Sequence, residues 1–459
     1  MIMLDNTVVN VALPAIQSDL GISVSGLEWV VTGYALSFAV LMLTGGKLAD
    51  MHGRRRIFLV GLAIFTVSSL FCGLAGSAEL LIAARIVQGV GSALMMPATL
   101  SIITATFPPK ERGAALGIWV GVSSVALAIG PLIGGLITVH IGWNWIFYVN
   151  VPVGLLGIVA ARLIIRESRD TSREQRLDLP GLLTSGVALF ALGFALIEAN
   201  SYGWTSALIL GLFAVALGAG IAFVMLELHQ RLPMFDISLF RNSTFAGANA
   251  VALLVALAML GVFFFISLYM QNVLGYSAVQ AGLAFLPMTV LIIVVAPVAG
   301  KASDRLGSRW MMVGGMMLVS ASLLVFAQLQ SDSTYWALLP GMLLGGAGMA
   351  LTMTPMTAAA LSAVPLDKAG VGSGMLNTFR QVGGALGIAV MGAILASESQ
   401  SSLAAGANEV EAFMAGLREA LYVSAAIALV GAVTAALTIR SHARPRPAGD
   451  APGSIAETA

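Results

Sequence analysis

The chain has 459 residues, of which 58% are hydrophobic and only 10% charged, and its formal net charge is +1. A soluble domain carries about 45–50% apolar and about 25% charged residues, so this composition excludes an ordinary water-soluble enzyme and a disordered chain. The near-neutral charge gives no footprint for nucleic-acid binding. The single cysteine, Cys72, cannot form an internal disulfide, and we expect an inert buried thiol.

Fourteen apolar segments are identified as helices that cross a bilayer, for which about 20 residues are needed. Many carry Gly, Ala, Ser or Thr at four-residue spacing, which lets helix backbones approach closely in lipid. The chain is therefore predicted to be an all-α polytopic membrane protein with fourteen transmembrane helices. The segments are 1–17, 27–48, 57–76, 79–105, 113–138, 143–165, 179–199, 206–228, 245–271, 279–299, 310–329, 335–362, 370–396 and 417–439.

Charged residues alternate in sign between successive connections. Arg54, Arg55 and Arg56 follow segment 2, and further basic residues follow every second segment after it. The other connections carry mostly acidic residues, with Arg418 as the basic exception. Since Lys and Arg favour cytoplasmic loops, both termini are predicted to lie on the cytoplasmic side of a bacterial inner membrane.

Segment 1 is short for a membrane span. About 16 apolar residues precede Gln17, Ser18 and Asp19, which gives about 24 Å of helix against about 30 Å of hydrocarbon. The n-region and cleavage site of a removed signal peptide are not present in the sequence. We therefore expect the true start to lie upstream of Met1, so that helix 1 is truncated here.

An internal repeat links the ends of segments 2 and 10, which read "GGKLADMHGRRR" and "AGKASDRLGSRW". The matching positions are Gly46, Lys47, Asp50 and Gly53 in the first and Gly300, Lys301, Asp304 and Gly307 in the second. Paired halves that move around a site at the bilayer midplane are the architecture of secondary transporters. The predicted parts are a six-helix half over 1–165, a cytoplasmic loop over 166–178, two inserted helices over 179–228, a cytoplasmic loop over 229–244, a six-helix half over 245–440 and a disordered cytoplasmic tail over 441–459.

Five motifs in order carry a resemblance to a known family. They are "LDNTVVNVALP" at 4–14, "GKLADMHGRRR" at 46–56, "RIVQGVGSA" at 85–93, "AIGPLIGG" at 128–135 and "WNWIFYVNVPVG" at 143–154. Together they resemble the fourteen-helix drug/proton antiporter branch of the major facilitator superfamily, over essentially the whole chain. The fourth motif departs from the family pattern, because Ala126 stands where a glycine is usual. The resemblance implies a major facilitator fold and a proton-driven exporter of amphipathic drugs, antibiotics or toxic metabolites.

Two charged residues lie within apolar segments of the first half, Asp5 on helix 1 and Arg85 on helix 4. An ionised carboxylate inside the bilayer costs about 2.5–3.5 kcal/mol on insertion scales, so Asp5 is expected to take up a proton readily. Arginine does not release its proton, but the resemblance implies a part for Arg85 in proton coupling. The alternatives are an Asp5 that only hydrogen-bonds its neighbours and an Arg85 that only pins two helices together.

The connection between helices 2 and 3 resembles the family's conformational latch, an ion cluster that forms in one state and breaks in another. Its residues are Gly46, Asp50, Gly53 and Arg54, with Arg112 between helices 4 and 5 and Asp304 in the second half. An isolated exposed ion pair contributes only about 0–1 kcal/mol, so a latch needs a network and partial burial. The alternative is that the arginines only set the topology.

Helix 5 carries the segment that resembles the family's antiporter motif. Its residues are Gly130, Pro131, Gly134 and Gly135. Proline removes one backbone hydrogen bond and bends a helix, and the glycines allow close packing against a neighbouring helix. The resemblance implies that this segment seals the protein against proton leak.

Four polar residues are candidates for a substrate cavity: Gln88, Asn377, Arg380 and Glu198. An ionisable group within the membrane is a functional candidate by default, and Arg380 has no evident carboxylate partner in its own half. The alternative for Arg380 is snorkelling toward the headgroups. Glu198 and Glu28 are expected at the membrane interface, near the outer ends of their helices.

The sequence also lacks several signatures of other functions. It has no G-x-x-x-x-G-K-[ST] phosphate loop, no spacing of histidines and cysteines for a metal site and no nucleophile–base arrangement. The prediction is a monomeric, non-enzymatic transporter without metal or cofactor, driven by the proton gradient, whose partners are a small amphipathic substrate, protons and the bilayer, with no nucleic acid. The alternatives are an exporter dedicated to one endogenous metabolite or lipid, and a non-transporting membrane sensor or scaffold.

Overall fold

The computed structural model describes residues 1–108, 112–169, 177–230, 235–364 and 369–440. The described residues form fourteen long helical segments, which we number α1 to α14. Their bounds are α1 Ile2–Leu20, α2 Val24–His52, α3 Arg54–Gly73, α4 Ala78–Thr106, α5 Arg112–His140, α6 Trp145–Tyr148 with Asn150–Ile164, α7 Leu179–Tyr202, α8 Ala207–His229, α9 Ser243–Leu268, α10 Ala278–Ala284 with Leu286–Leu306, α11 Ser308–Phe326, α12 Tyr335–Ser362, α13 Ala369–Ala404 and α14 Glu409–Thr438. A 3-10 turn, Ile237–Arg241, precedes α9, and a π-helical turn, Tyr269–Val273, follows it.

Twelve of the helical segments in the described part of the chain are long and apolar enough to cross a membrane. The other two are α1 and α5, and the apolar stretch described for α5 is Ile129–His140. Helices satisfy their own backbone hydrogen bonds, which is the condition for crossing lipid. The chain is therefore a multi-pass helical membrane protein.

Side-chain caps start several of these helices. The hydroxyls of Ser23, Ser77 and Ser206 accept hydrogen bonds from backbone N–H groups in the first turns of α2, α4 and α8. A serine in this position satisfies a donor that has no partner inside the helix. These polar residues interrupt apolar runs, and so they fix where one helix ends and the next begins.

The sequence repeat has a counterpart in the backbone. Gly53 and Gly307 both have positive φ, 109° and 84°, and each joins one helix directly to the next without an intervening loop. Residues with a side chain rarely adopt such angles. The two glycines therefore make the same turn at the matching positions of the two sequence halves.

Helix contacts divide the bundle into two groups. α1–α6 pack mainly on one another, and α9–α14 do the same. The principal contacts between the groups are made by α2 with α13 and by α5 with α10. α7 and α8 form a hairpin, which we call the inserted hairpin, and α7 lies against both α2 and α13.

The two ends of the bundle differ in charge. We call the end with Arg54, Arg55 and Arg56 the basic end. The opposite end carries the turn between α1 and α2 at Gly21, which has a φ of 61°. The N-terminus of α7 and the C-terminus of α8 both lie at the basic end, since α7 follows α6 there and α8 returns from the opposite end.

Several helices extend beyond the approximate segments identified from the sequence, and two of those segments are interrupted. α1 does not stop at residue 17 but continues to Leu20, because the N–H of Gly21 caps the carbonyl of Gln17 and Trp143 donates to Asp19 at 2.8 Å. α13 runs eight residues past the expected 396, to Ala404. α6 is interrupted at Val149 and α10 at Phe285, where Pro287 occupies the first turn of the second piece.

Candidate functional site

A buried ion pair occupies the interior of the first group of helices. Arg85 Nη1 on α4 donates to Asp5 Oδ2 on α1 at 2.6 Å, and both side chains are about 1% exposed. Gln88 Nε2, one turn along α4, donates to Asp5 Oδ1 at 3.2 Å. The structure thus brings together three residues that the sequence analysis named separately. The sequence alone does not show that Asp5 and Arg85 face one another.

The guanidinium of Arg85 has partners besides Asp5. Its Nε donates to the Val30 carbonyl of α2 at 3.1 Å, and its Nη1 also donates to Gln88 Oε1 at 2.6 Å. Its carbon lies 4.2 Å from the centre of the Tyr34 ring, a cation–π contact. A buried charge needs such compensation because removing it from water costs several kcal/mol.

Two further residues of the network were missed by the sequence analysis. Asn150 Nδ2 on α6 donates to Asp5 Oδ1 at 3.3 Å and to Ser69 Oγ on α3 at 3.1 Å. The hydroxyl of Ser69 donates in turn to the Phe147 carbonyl at 2.9 Å. Asn150 lies within the motif at 143–154, and an amide in the middle of an apolar helix was the signal that could have found it.

We call Asp5, Ser69, Arg85, Gln88 and Asn150 the Asp5 network. It joins α1, α3, α4 and α6 through side chains and α2 through the Val30 carbonyl. Cys72 lies beside it, fully buried, with its sulfur 3.7 Å from Gln88 Oε1. The expectation of a buried free thiol is thus confirmed.

A second set of contacts joins the α2–α3 turn to the end of α6. Arg54 pairs with Asp50 at 3.0 Å, and the backbone N–H groups of Arg55 and Arg56 each donate to the Glu167 carboxylate at 3.1 Å. A carboxylate at a helix N-terminus satisfies free donors and faces the positive end of the helix dipole. Glu167 was missed, because it lies more than 100 residues along the chain from its partners.

Gly53 explains why this turn is compact. A Cβ at this position would come within 2.7 Å of the Glu167 carboxylate, and φ there is 109°. A Cβ at Gly46 would lie 3.4 Å from Pro97 of α4. The side chains of Arg112 and Asp304, the remaining residues of the predicted latch, lie outside the described residues.

The glycines of α5 sit at close helix contacts. Gly130 and Gly134 face Thr7 and Val8 of α1, and a Cβ at Gly135 would lie 2.5 Å from the Ala278 carbonyl oxygen of α10. A Cβ at Gly282 of α10 would likewise lie against the carbonyl oxygen of Pro131. The motif therefore forms part of the contact between the two groups of helices.

The four cavity candidates do not share one site among the described residues. Gln88 belongs to the Asp5 network, whereas Asn377 Oδ1 accepts a hydrogen bond from Arg380 Nη2 at 2.6 Å on α13. Glu198, on α7, accepts one from Trp29 Nε1 of α2 at 3.2 Å. Arg380 is half-buried and its described partner is an amide rather than a carboxylate.

Glu28 lies near the start of α2, as expected, but it is buried rather than turned to the headgroups. Its side chain is 3% exposed and lies against Gly392 of α13, where a Cβ would overlap the carboxylate. The physical reason is the pairing of α2 with α13, which covers the face of α2 that a lone helix would turn to water or headgroups. Glu28 thus lies in the contact between the two groups of helices.

An apolar cavity of about 330 Å³ lies between α2, the inserted hairpin, α9 and α13. Its walls include Leu43, Phe223, Phe235, Thr378 and Phe379. The Thr378 hydroxyl is buried without a hydrogen-bond partner. In the described part of the chain, no group of three or more His, Cys, Asp or Glu side chains is placed to hold a metal ion.

Comparison with known proteins assigns the family. Residues 1–388 match the family model of the Major Facilitator Superfamily. The chain belongs to this superfamily. Members of this superfamily are transporters. The all-helical membrane fold and the lack of enzyme motifs in the sequence both agree with that assignment.

Curated relatives of this superfamily member are resistance proteins. The tetracenomycin C resistance and export protein of Streptomyces glaucescens is 38% identical over 96% of this chain and 81% of its own length. The multidrug resistance protein Stp of Mycobacterium tuberculosis is 39% identical over 88% of this chain and 75% of its own length. These names agree with the antibiotic and multidrug efflux that the motifs imply.

A solved structure of the same fold is that of a bacterial homologue of the human lysosomal transporter Spinster, in an inward-facing and unoccupied conformation. The two chains are 19% identical in sequence and superpose with a TM-score of 0.67. The match covers 95% of this chain and 93% of the solved structure's chain. At this identity the likeness concerns the fold. It supports the major facilitator architecture for the described helices.

Proposed function

We propose that the protein is a proton-coupled antiporter that exports amphipathic drugs, antibiotics or toxic metabolites by alternating access. The observation that carries the proposal is the Asp5 network, in which one buried carboxylate meets one buried guanidinium at 2.6 Å. The names of the relatives support the export of antibiotics. In this proposal all fourteen helices cross the membrane, and the basic end faces the cytoplasm.

Protonation of Asp5 changes the balance of the network. A proton on the carboxyl removes the negative charge, and Arg85 is then left as an uncompensated cation in apolar surroundings. Because such a charge costs several kcal/mol, the helices that hold it must rearrange or admit water. A proton can thus favour one of two conformations of the first group of helices, which is the requirement for coupling.

The two groups of helices provide the moving parts. In the proposal they are the two halves of an alternating-access transporter, and α2–α13 and α5–α10 are the contacts that change as they rock. The contact of Arg54 with Asp50 and of Glu167 with the start of α3 would hold the basic end in one state. The substrate class is a neutral or singly positive amphiphile, because the described apolar cavity contains no acidic side chain.

The test uses inside-out vesicles with an acidified interior and a pH-sensitive dye. A panel of neutral and singly charged amphipathic drugs is added, and proton release is followed for the wild type, Asp5→Asn and Asp19→Asn. Asp19 is exposed on the same helix, so it controls for the substitution itself. We expect drug-dependent release in the wild type and in Asp19→Asn, and its loss in Asp5→Asn.

The other outcomes are equally informative. Release that persists in Asp5→Asn would place the transported proton on another residue. Release with one compound alone would indicate a dedicated exporter, the alternative suggested by the relative named for tetracenomycin C. No release with any compound, with the protein present in the membrane, would contradict the antiport proposal.

A further inference from the structure

A groove between α7 and α8 adjoins the apolar cavity described above. The groove has a volume of about 820 Å³, and its lining is entirely apolar. Its walls include Leu217 and Leu228 of α8, which are 66% and 61% exposed. Because lipid tails are as apolar as these side chains, the groove faces the bilayer.

The wall between the groove and the cavity is thin. Ala188 of α7 and Gly220 of α8 line both spaces, together with Leu189 and Val224. A Cβ at Gly220 would meet no atom within 4 Å. Ala188 and Gly220 both lie near the middle of their helices, so the groove meets the cavity within the hydrocarbon layer.

The cavity beyond this wall is lined by aromatic rings. The ring of Phe235 lies between those of Phe223 and Phe379, with centroid distances of 5.7 and 6.0 Å. All three residues line the cavity. Aromatic rings favour offset or edge-to-face contacts with other rings, so these walls suit a flat aromatic compound better than a flexible chain.

One hydroxyl in the cavity wall is free to bind a guest. Thr378 Oγ1 is buried without a hydrogen-bond partner among the described residues, whereas Ser185 Oγ, also in the wall, donates to the Leu182 carbonyl. A buried hydroxyl without a partner is unfavourable. The cavity lining contains no charged side chain, so the matching guest is neutral and carries a hydrogen-bond acceptor.

We propose that the inserted hairpin admits substrate from the bilayer. A neutral, flat aromatic compound enters the groove, passes Gly220 between α7 and α8, and binds in the cavity with a carbonyl oxygen hydrogen-bonded to Thr378. The proposal rests on the proposed export of amphipathic compounds and adds a binding site and an entry route to it. Apolar compounds concentrate in lipid because their transfer out of water is favourable, so this route draws on the larger supply.

The test uses a neutral anthraquinone that carries a diazirine, with full-length protein in lipid nanodiscs. Illumination after increasing times attaches the bound probe, and mass spectrometry of peptides gives the rate and extent of labelling at each helix. We expect labelling of the cavity walls on α8 and α13, and unlabelled anthraquinone should prevent it. Labelling of the lipid-facing groove alone, or labelling without such competition, would overturn the proposal.

Two glycines of α8 test the entry route. Gly220→Leu places a side chain in the space where the groove meets the cavity, so we expect cavity labelling to be lost or strongly slowed. Gly218→Leu is the matched control, because a Cβ there also meets no atom within 4 Å and Gly218 lines neither space. Cavity labelling at the wild-type rate in Gly220→Leu would contradict entry by this route.

Substitutions of Thr378 test the binding site. Thr378→Val keeps the shape and removes the hydroxyl, so the probe concentration for half-maximal labelling should rise about two- to tenfold, the effect of one neutral hydrogen bond. Thr378→Ser should keep the wild-type value, and an unchanged value in Thr378→Val would contradict the assigned hydrogen bond.

This labelling needs no proton gradient, which separates it from the drug-release assay. Cavity labelling in a protein that releases no protons would contradict antiport and leave the binding site standing. Drug-dependent proton release without cavity labelling would overturn the site and leave antiport standing.

Discussion

Asp5 accepts hydrogen bonds from three side chains on two other helices, and this concentration of partners makes it sensitive to substitution. Arg85, Gln88 and Asn150 all donate to its two oxygens. Both charges of the ion pair are buried, so each is the main compensation of the other. Removal of either charge is therefore more costly than removal of both.

This asymmetry gives a prediction about stability. Asp5→Asn leaves the Arg85 cation buried without a counter-charge, and we expect it to lower the free energy of unfolding by about 3–5 kcal/mol. The double variant Asp5→Asn with Arg85→Gln should recover part of that loss. Unfolding of the purified proteins in one detergent measures both effects.

The pair formed by Asp50 and Arg54 is the matched control. It is an i, i+4 pair with side chains 34% and 20% exposed. Solvent-exposed pairs contribute about 0–1 kcal/mol, so Asp50→Asn should change stability little. Equal losses in Asp5→Asn and Asp50→Asn would contradict the view that burial decides the effect.

Residue identities in the site could be read from the sequence more easily than their contacts. Asp5 and Arg85 are identifiable because charges are costly in apolar helices. Asn150 stands out only as an amide within an apolar helix, and Ser69 does not stand out at all, because uncharged polar residues are common in membrane helices. The role of both depends on which helices are neighbours. Glu167 was missed because acidic residues near helix ends are usually solvated.

At the scale of the helix, α5 is shaped by its contacts rather than by its composition. Gly134 meets the backbone of Val8, and Gly135 meets the backbone of Ala278 and Val279. Backbone atoms cannot turn aside as a flexible side chain can. The glycines of the motif are therefore required by the distance between helix axes.

A single methyl group tests this requirement. Gly135→Ala would place a Cβ 2.5 Å from the Ala278 carbonyl oxygen, so α5 and α10 must separate and we expect export to fall strongly. Gly211→Ala, on α8, meets nothing within 4 Å and should keep export at the wild-type level. Drug efflux from cells with matched amounts of membrane protein compares the two variants.

The result for Gly211→Ala also checks the interpretation. Alanine favours a helix by about 1 kcal/mol over glycine, so an equal loss of export in both variants would point to helix flexibility and not to packing.

The positions of the helices could be predicted from the lengths of the hydrophobic segments, but the pairing of the helices could not. The contacts of α5 with α10 and of α2 with α13 depend on surfaces far apart in the sequence.

At the scale of the whole molecule, the proposed cycle requires the two groups of helices to move against one another. A cross-link between them should stop it. Leu43 of α2 lies against Gly374 of α13, 2.9 Å from the position of a Cβ there. Cysteines at 43 and 374 would face one another across this contact, so oxidation to a disulfide can join the two groups.

We expect that oxidation of the Leu43→Cys, Gly374→Cys variant, in a Cys72→Ser background, abolishes export and that reduction restores it. The control pair is Ser322→Cys with Gly345→Cys, which joins α11 to α12 within the second group; Ser322 Oγ lies 2.9 Å from the position of a Cβ at Gly345. Its oxidation should leave export intact. Continued export by the fully oxidised 43–374 variant would exclude movement at this contact.

The inserted hairpin touches both moving groups, and this has a mechanical consequence. Asn200 Nδ2 of α7 donates to the Ala393 carbonyl of α13 at 2.8 Å, whereas Gly186 and Gly193 face Val40 and Leu36 of α2. Because glycine has no side chain, the face of α7 that carries these residues is smooth, and side chains of α2 can slide along it. If the two groups rock, the hairpin moves with α13, and α2 slides along the face of α7 that carries these glycines.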